Sequence, residues 1–256
     1  METSERIDTV NESIRLIQRS DGLTFGTDAL LLAAYVKGNT GYRALEFGAG
    51  TGIVSLLCAT RKKAGAILAI EVQMEFADIA RRNVELNRLS DIISVVAADI
   101  RNLDAYGGDG ADLLFVNPPY MTVDGGYPNT ADVKNIARHE VVGDISDFCI
   151  AASKKLRFGG KFYCVYRPDR MIDLLCAMRG AKIEPKRLTF VHADAASSPS
   201  MLLVEGKLGA APSLVTTPPL ILYKDSAHIE YTDDMNYILS HGNFPNKEAR
   251  CRGKRT

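Results

Sequence analysis

The chain has 256 residues, 46% of them apolar and 24% charged, with 31 basic and 31 acidic side chains. That balance fits one large globular α/β domain with room for an extension, and it excludes both a disordered chain and a protein coated in basic charge. No stretch approaches the roughly 20 apolar residues of a membrane span, residues 1–8 lack a signal peptide's apolar core, and the five cysteines form no CxxC pair. A cytoplasmic protein with reduced thiols is expected, with no membrane and no metal requirement.

In chain order, Ile7 to Arg19 reads as an N-terminal strand or hairpin lying against the core. Phe25-Gly26-Thr27-Asp28-Ala29 follows, with Thr27 expected as the N-cap of a helix over Ala29–Val36. Arg43 to Phe47 is a short strand running into Gly48-Ala49-Gly50-Thr51-Gly52 and then a helix over Ile53–Lys62. Further strands are expected at Ala66–Ile70, Ile92–Ala97 and Ala111–Val116, ended by Glu71, Asp99 and Asn117, with a helix over Met74–Asn87 after the first of them. Residues 121–143, with Gly125, Gly126, Pro128, Asn129 and Thr130, read as a long loop of the kind that is usually functional or mobile. Ile145 to Leu156 reads as a helix stopped by Gly159-Gly160, Lys161 to Tyr166 as a strand, and Met171, Leu174, Leu175 and Met178 as the core stripe of a helix.

Leu188–His192 and Met201–Glu205 are close enough to require an antiparallel pair. The fold class expected is therefore Rossmann-like α/β, with a mostly parallel seven-stranded sheet, an antiparallel terminal hairpin and helices on both faces. Residues 1–206 are expected to form this domain, with 1–40 packed on it. Residues 207–256 form a proline-marked extension with a short helix from Thr232 and a basic tail that includes Arg250 and Arg252.

Glu46-Phe47-Gly48-Ala49-Gly50-Thr51-Gly52 is E-x-G-x-G-x-G, not the dinucleotide pattern G-x-G-x-x-G. An acid ahead of the glycines repels a pyrophosphate and suits a cationic or zwitterionic ligand. Asn117-Pro118-Pro119-Tyr120 is the second feature. Its adjacent prolines cannot donate to a ladder, so the strand stops there and holds an amide and a ring at its carboxyl end. In an open α/β sheet, ligands bind at that edge. An exocyclic amino nitrogen is a poor nucleophile. The Asn117 side-chain oxygen and the Pro118 carbonyl can accept its two hydrogens and aim its lone pair. Tyr120 offers a face for stacking a flipped-out base, worth about 1–3 kcal/mol.

The glycine turn resembles motif I of class I S-adenosylmethionine-dependent methyltransferases, and Asn117-Pro118-Pro119-Tyr120 resembles their motif IV for planar amino or amide nitrogens. The resemblance implies S-adenosylmethionine as cofactor. Glu46, Gly48, Gly50, Gly52, Glu71, Asp99 and Asn117 would contact it, with Glu71 on the ribose and Asp99 near the adenine amino group. By motif IV alone the acceptor stays open between adenine N6, guanine N2 of ribosomal RNA and the glutamine of a release factor. A release-factor enzyme resembles chains with many tens of residues before motif I, whereas here 45 residues precede Glu46.

Phe25-Gly26-Thr27-Asp28-Ala29, Ala137-Arg138-His139-Glu140, Arg167-Pro168, Ile183-Glu184-Pro185-Lys186-Arg187 and Leu202-Leu203-Val204-Glu205-Gly206 narrow the likeness. Together they resemble the bacterial tRNA(Val) adenine-N6 methyltransferases, which modify adenosine 37. That resemblance implies an RNA partner, a tRNA, with Phe25 and Thr27 lining the cofactor pocket and Arg138 and His139 closing a loop over the target. Lys186, Arg187, Arg250 and Arg252 are the cations expected near RNA.

Overall fold

The computed structural model describes residues 5–19, 25–103, 110–118 and 143–245. Strands β1 (Glu5–Asn11) and β2 (Ile14–Arg19) form an antiparallel hairpin separate from the main sheet. The main sheet is built from β3 (Arg43–Phe47), β4 (Ala66–Glu71), β5 (Ile93–Ala97), β6 (Ala111–Val116), β7 (Leu156–Tyr166), β8 (Ile183–His192) and β9 (Pro199–Leu208). Their spatial order is β8-β9-β7-β6-β3-β4-β5. Only β9 runs against its neighbours β7 and β8. The short strands β10 (Val215–Thr216) and β11 (Leu220–Ile221) add to β8 in parallel.

Six helices cover the sheet among the described residues: α1 (Thr27–Tyr35), α2 (Ile53–Thr60), α3 (Met74–Leu86), α4 (Ile145–Lys155), α5 (Met171–Gly180) and α6 (Asp233–His241). The central strands read as near-continuous apolar runs because both of their faces are buried. Their side chains alternate between two cores. Leu113 and Phe115 of β6 join α1 and α2 in one core, while Leu114 and Val116 join Phe148 of α4 and Leu174 of α5 in the other. Within these layers the thiols of Cys58, Cys149 and Cys164 are buried, and loss of water pushes those of Cys58 and Cys149 up to about 12. Among the described residues no helix is long and apolar enough to cross a membrane.

Several boundaries differ from the expectations. Thr27 is the first residue of α1, and Gly26 is its N-cap without a side-chain cap bond. Asp28 instead takes the first free amide, accepting from Ala29 N–H at 2.9 Å. Gly159 and Gly160 do not end a helix, because α4 passes into β7 at Leu156 without a loop. Ala111 pairs with Leu156 but Leu113 with Lys161, so these glycines sit in a bulge where β7 carries extra residues. A Cβ on Gly160 would lie 2.9 Å from the backbone oxygens of Ala111 and Arg157, closer than any side chain fits.

Among residues 207–245, several side chains share the first core rather than standing apart. Leu220, Leu222, Met235 and Ile238 are buried in it, and Thr232 caps α6 by accepting from Met235 N–H. Tyr35, at the end of α1, ties this segment down. Its ring meets Phe244 edge-on at 5.2 Å and Tyr163 at 6.4 Å, and its hydroxyl lies 3.0 Å from Thr189 Oγ1. Tyr35→Ala is expected to cost about 3–5 kcal/mol through the lost ring and the cavity it leaves. Scanning calorimetry should then show a fall in melting temperature of about 10 °C.

Candidate active site at the sheet's switch point

From β3 the chain moves to β4 and β5 on one side, then returns to β6 on the other. Such a reversal opens a crevice outside the carboxyl ends of the strands, which is where α/β sheets bind ligands. Register lines up the residues along that edge. Phe47 pairs with both Ile70 and Val116, and Glu71 pairs with Ala97. The segments that begin at Asn117, Gly48, Glu71 and Ala98 therefore leave the sheet side by side, with Asp99 one residue further on.

The glycine turn is held from beneath. Ala49 N–H donates to Ile70 O at 3.0 Å, and Gly50 N–H donates to Glu71 Oε2 at 2.8 Å. Gly50 has a φ of +54°, and a Cβ there would meet nothing within 4 Å among the described residues, so toward them the turn presents bare backbone. Gly52 serves packing, because a Cβ there would come 3.3 Å from Ala80 Cβ at the crossing of α2 and α3. Gly48, with a φ of +68°, completes the turn above Phe148.

Glu71 also accepts from Gln73 N–H at 2.9 Å. A carboxylate has about four acceptor sites, so both oxygens keep capacity for ligand hydroxyls. Asp99 caps the short turn Ile100–Asn102 and is gripped by the Arg101 guanidinium at 2.6–3.0 Å, which holds its carboxyl below the usual range.

Glu46 is fully buried beneath the turn, accepting from Ser55 N–H at 3.0 Å and from the Ser55 hydroxyl. Burial pushes its carboxyl up to about 8, against the opposing pull of those hydrogen bonds. The unfolded value lies near 4.3. From about pH 4.3 to 8 the fold therefore holds a proton that the unfolded chain has released, and stability falls as pH rises through that window. Glu46→Gln keeps the acceptor but cannot ionise. Its melting temperature is expected to match the wild type near pH 4 and to exceed it by several degrees at pH 8.5, measured as a pH series of thermal unfolding.

At the next strand end, Asn117 donates from Nδ2 to Asp28 Oδ2 at 2.9 Å, and its Oδ1 is buried without a partner among the described residues. Pro118 beside it is buried. Phe25 is half-buried against the first core, and its N–H donates to Gln18 Oε1 at 2.9 Å, so the N-terminal hairpin sets its position. Asn83 of α3 ties the same hairpin to the glycine turn: it bonds both Ile17 N–H and Ile17 O, and donates to Thr51 O at 3.0 Å. Asp28, Gln18 and Asn83 were not singled out from the sequence as site residues. The one available signal was the adjacency of Asp28 to Phe25 and Thr27.

Pro119, Tyr120, Arg138, His139, Arg250 and Arg252 lie outside the described residues. Arg187 corrects its expectation as an RNA contact. It turns inward with its side chain 11% exposed, pairs with Glu205 at 2.8 Å and lies 3.7 Å over the Tyr35 ring. Desolvated and matched in charge, it clamps α1 to β8 instead of facing phosphate. Lys186 reaches across to Ala211 O at 2.6 Å and to the Ser213 hydroxyl.

This strand order, with an antiparallel strand beside the last parallel one and a glycine turn at the switch point, defines a Rossmann-like methyltransferase fold. A predicted O-methyltransferase from Agrobacterium tumefaciens shares the fold at a TM-score of 0.69 and 23% identity, over 85% of this chain and 98% of its own. M. jannaschii TYW2, solved in complex with AdoMet, shares it at a TM-score of 0.55 and 16% identity, over 81% of this chain and 87% of its own. Residues 20–173 match the family model described as the methyltransferase small domain.

Two relatives named tRNA1(Val) (adenine(37)-N6)-methyltransferase are similar along most of the chain. The Phocaeicola vulgatus protein is 30% identical over 182 residues, covering 71% of this chain and 76% of its own. The Dyadobacter fermentans protein is 28% identical over 200 residues, covering 77% and 81%. The chain belongs to the methyltransferase small domain family and, within it, to the family of these relatives.

Proposed function

We infer that the protein transfers a methyl group from S-adenosylmethionine to the N6 amino group of an adenine in RNA, adenosine 37 of a valine tRNA. The observation that carries this reading is the pairing of β3 with β6, which sets the bare glycine turn beside Asn117 and Pro118. The names of the relatives supply the tRNA and the position.

The residues present fit the cofactor. A Cβ at Gly50 meets none of the described residues within 4 Å, which supports placing the methionine end there, and Glu71 carries one protein hydrogen bond on each oxygen, which supports its role toward the ribose hydroxyls. Asp99, whose carboxylate is held by Arg101, is the residue we assign to the adenine amino group. When bound, S-adenosylmethionine supplies an electrophilic methyl on a sulfonium. The chain's own part is to bind and aim the acceptor. Asn117 Oδ1 and the Pro118 carbonyl accept the two hydrogens of the amino group, which favours a pyramidal nitrogen with its lone pair directed out of the base plane. Tyr120 stacks on the flipped-out base. No strongly basic side chain is required, because the alkylated nitrogen is acidic enough to release its proton to water.

The test offers radiolabelled cofactor with a valine tRNA, ribosomal RNA and a release factor, and then digests the labelled product. N6-methyladenosine at position 37 is the expected result. Label in guanine of ribosomal RNA or in glutamine would overturn the reading.

A further inference from the structure

The geometry points to Asp28 as a positioning residue that locks the Asn117 amide with its oxygen, and not its NH2, presented to the target nitrogen. This rests on the amino-acceptor reading above and deepens it. A side-chain amide is two-faced, with an acceptor oxygen on one side and two donors on the other. Both faces have nearly the same shape, so the strand end alone does not select one.

Asp28 selects it by charge. Its Oδ2 takes Asn117 Nδ2–H at 2.9 Å across 89 residues of chain. The flipped amide would set its oxygen against the carboxylate with no hydrogen between them. Two features hold Asp28 in place. Its Oδ1 accepts from Ala29 N–H at 2.9 Å in the first turn of α1, where the helix dipole favours an anion. Gly26 leaves the room, since a Cβ there would lie 2.6 Å from Asp28 Oδ1.

The consequence is the orphan. Asn117 Oδ1 is buried and has no donor within the described residues, an unfavourable state for an acceptor removed from water. An amino group arriving with two hydrogens supplies the missing donor. A carbonyl at the same place would face an oxygen and be rejected. Asp28 thereby sets the ligand class of the site as well as the angle of attack.

A double-mutant cycle tests this. The variants are Asp28→Ala, Asn117→Ala and the pair, assayed by single-turnover methyl transfer with enzyme in excess. Alongside, cofactor affinity and melting temperature are measured for each. Asp28→Ala is expected to lower the transfer rate about tenfold or more, while cofactor affinity stays within about twofold. In the Asn117→Ala background the same change should have no further effect, because no amide is left to orient. Asp28→Asn keeps a carbonyl acceptor and should recover part of the rate.

An equal fractional loss in both backgrounds, an unchanged rate, or an Asp28→Asn variant as slow as Asp28→Ala would overturn the assignment. The cycle is read on whichever nitrogen the wild-type protein labels. A wild type that labels a nitrogen other than adenine N6 therefore refutes the function reading, while the cycle on that nitrogen still decides the role of Asp28.

Discussion

Asn117→Ala is expected to lower the rate of methyl transfer by about 100- to 1,000-fold, the range seen when one preorganised polar contact to a reacting group is removed. The size follows from what the side chain does and from what replaces it. The Asn117 oxygen is buried and has no partner among the described residues, so its contact with the target amine replaces no hydrogen bond to them. Alanine leaves only the Pro118 carbonyl to hold one hydrogen, and the lone pair loses its direction.

Stability should move little in the same variant. Deleting the amide removes a buried oxygen that has no partner among the described residues but also removes the 2.9 Å bond to Asp28, and these contributions are of similar size and opposite sign. The expected pattern is therefore a collapse in rate with a melting temperature within a few degrees of the wild type and cofactor affinity reduced far less than the rate. Single-turnover transfer, thermal unfolding and titration calorimetry read the three quantities. A full rate in Asn117→Ala would remove the proposed acceptor role.

The second large effect is expected at Gly50. Gly50→Val places a β-branched side chain at a φ of +54°, where such residues are genuine outliers. It also fills the open space above the turn and strains the Gly50 N–H bond to Glu71. Cofactor affinity should fall at least about 100-fold, since backbone strain of about 1–2 kcal/mol adds to outright exclusion of the ligand. The core beneath is expected to stay folded, because a Cβ at Gly50 meets none of the described residues within 4 Å. Titration with S-adenosylmethionine checks the first statement and circular dichroism the second. Retained affinity would mean that the cofactor does not lie on this turn.

These effects separate what is local in the chain from what is not. The strands β3, β4 and β6 could be read to within a residue because each is a short apolar run stopped by its own neighbours, a glycine turn, an acid or a proline pair. The helices α3 and α6 were legible for the same reason, one from its spacing and the other from Thr232. The errors fall where the deciding partner is distant in sequence. Gly159-Gly160 looks like a helix stop until β6 is laid beside it and demands a bulge. Arg187 looks like a surface cation in a basic stretch until Glu205 and the Tyr35 ring close over it. Thr27 lies inside α1 with Gly26 as its N-cap, and the first-turn amide of Ala29 is taken by the Asp28 carboxylate, whose other oxygen meets Asn117 from 89 residues away.

By itself the sequence determined the fold class, the ligand-bearing ends of the strands and the chemistry those ends can hold. Periodicity, glycine conformation and proline's missing N–H all act within a few residues. Only the tertiary structure decided which ends face one another, that Glu46 turns beneath the glycine turn to meet Ser55, and that Asp28 orients the Asn117 amide. A two-faced amide has no preferred orientation in its own segment. It gains one only when the path of the chain brings a carboxylate from 89 residues away to within hydrogen-bonding distance of one face.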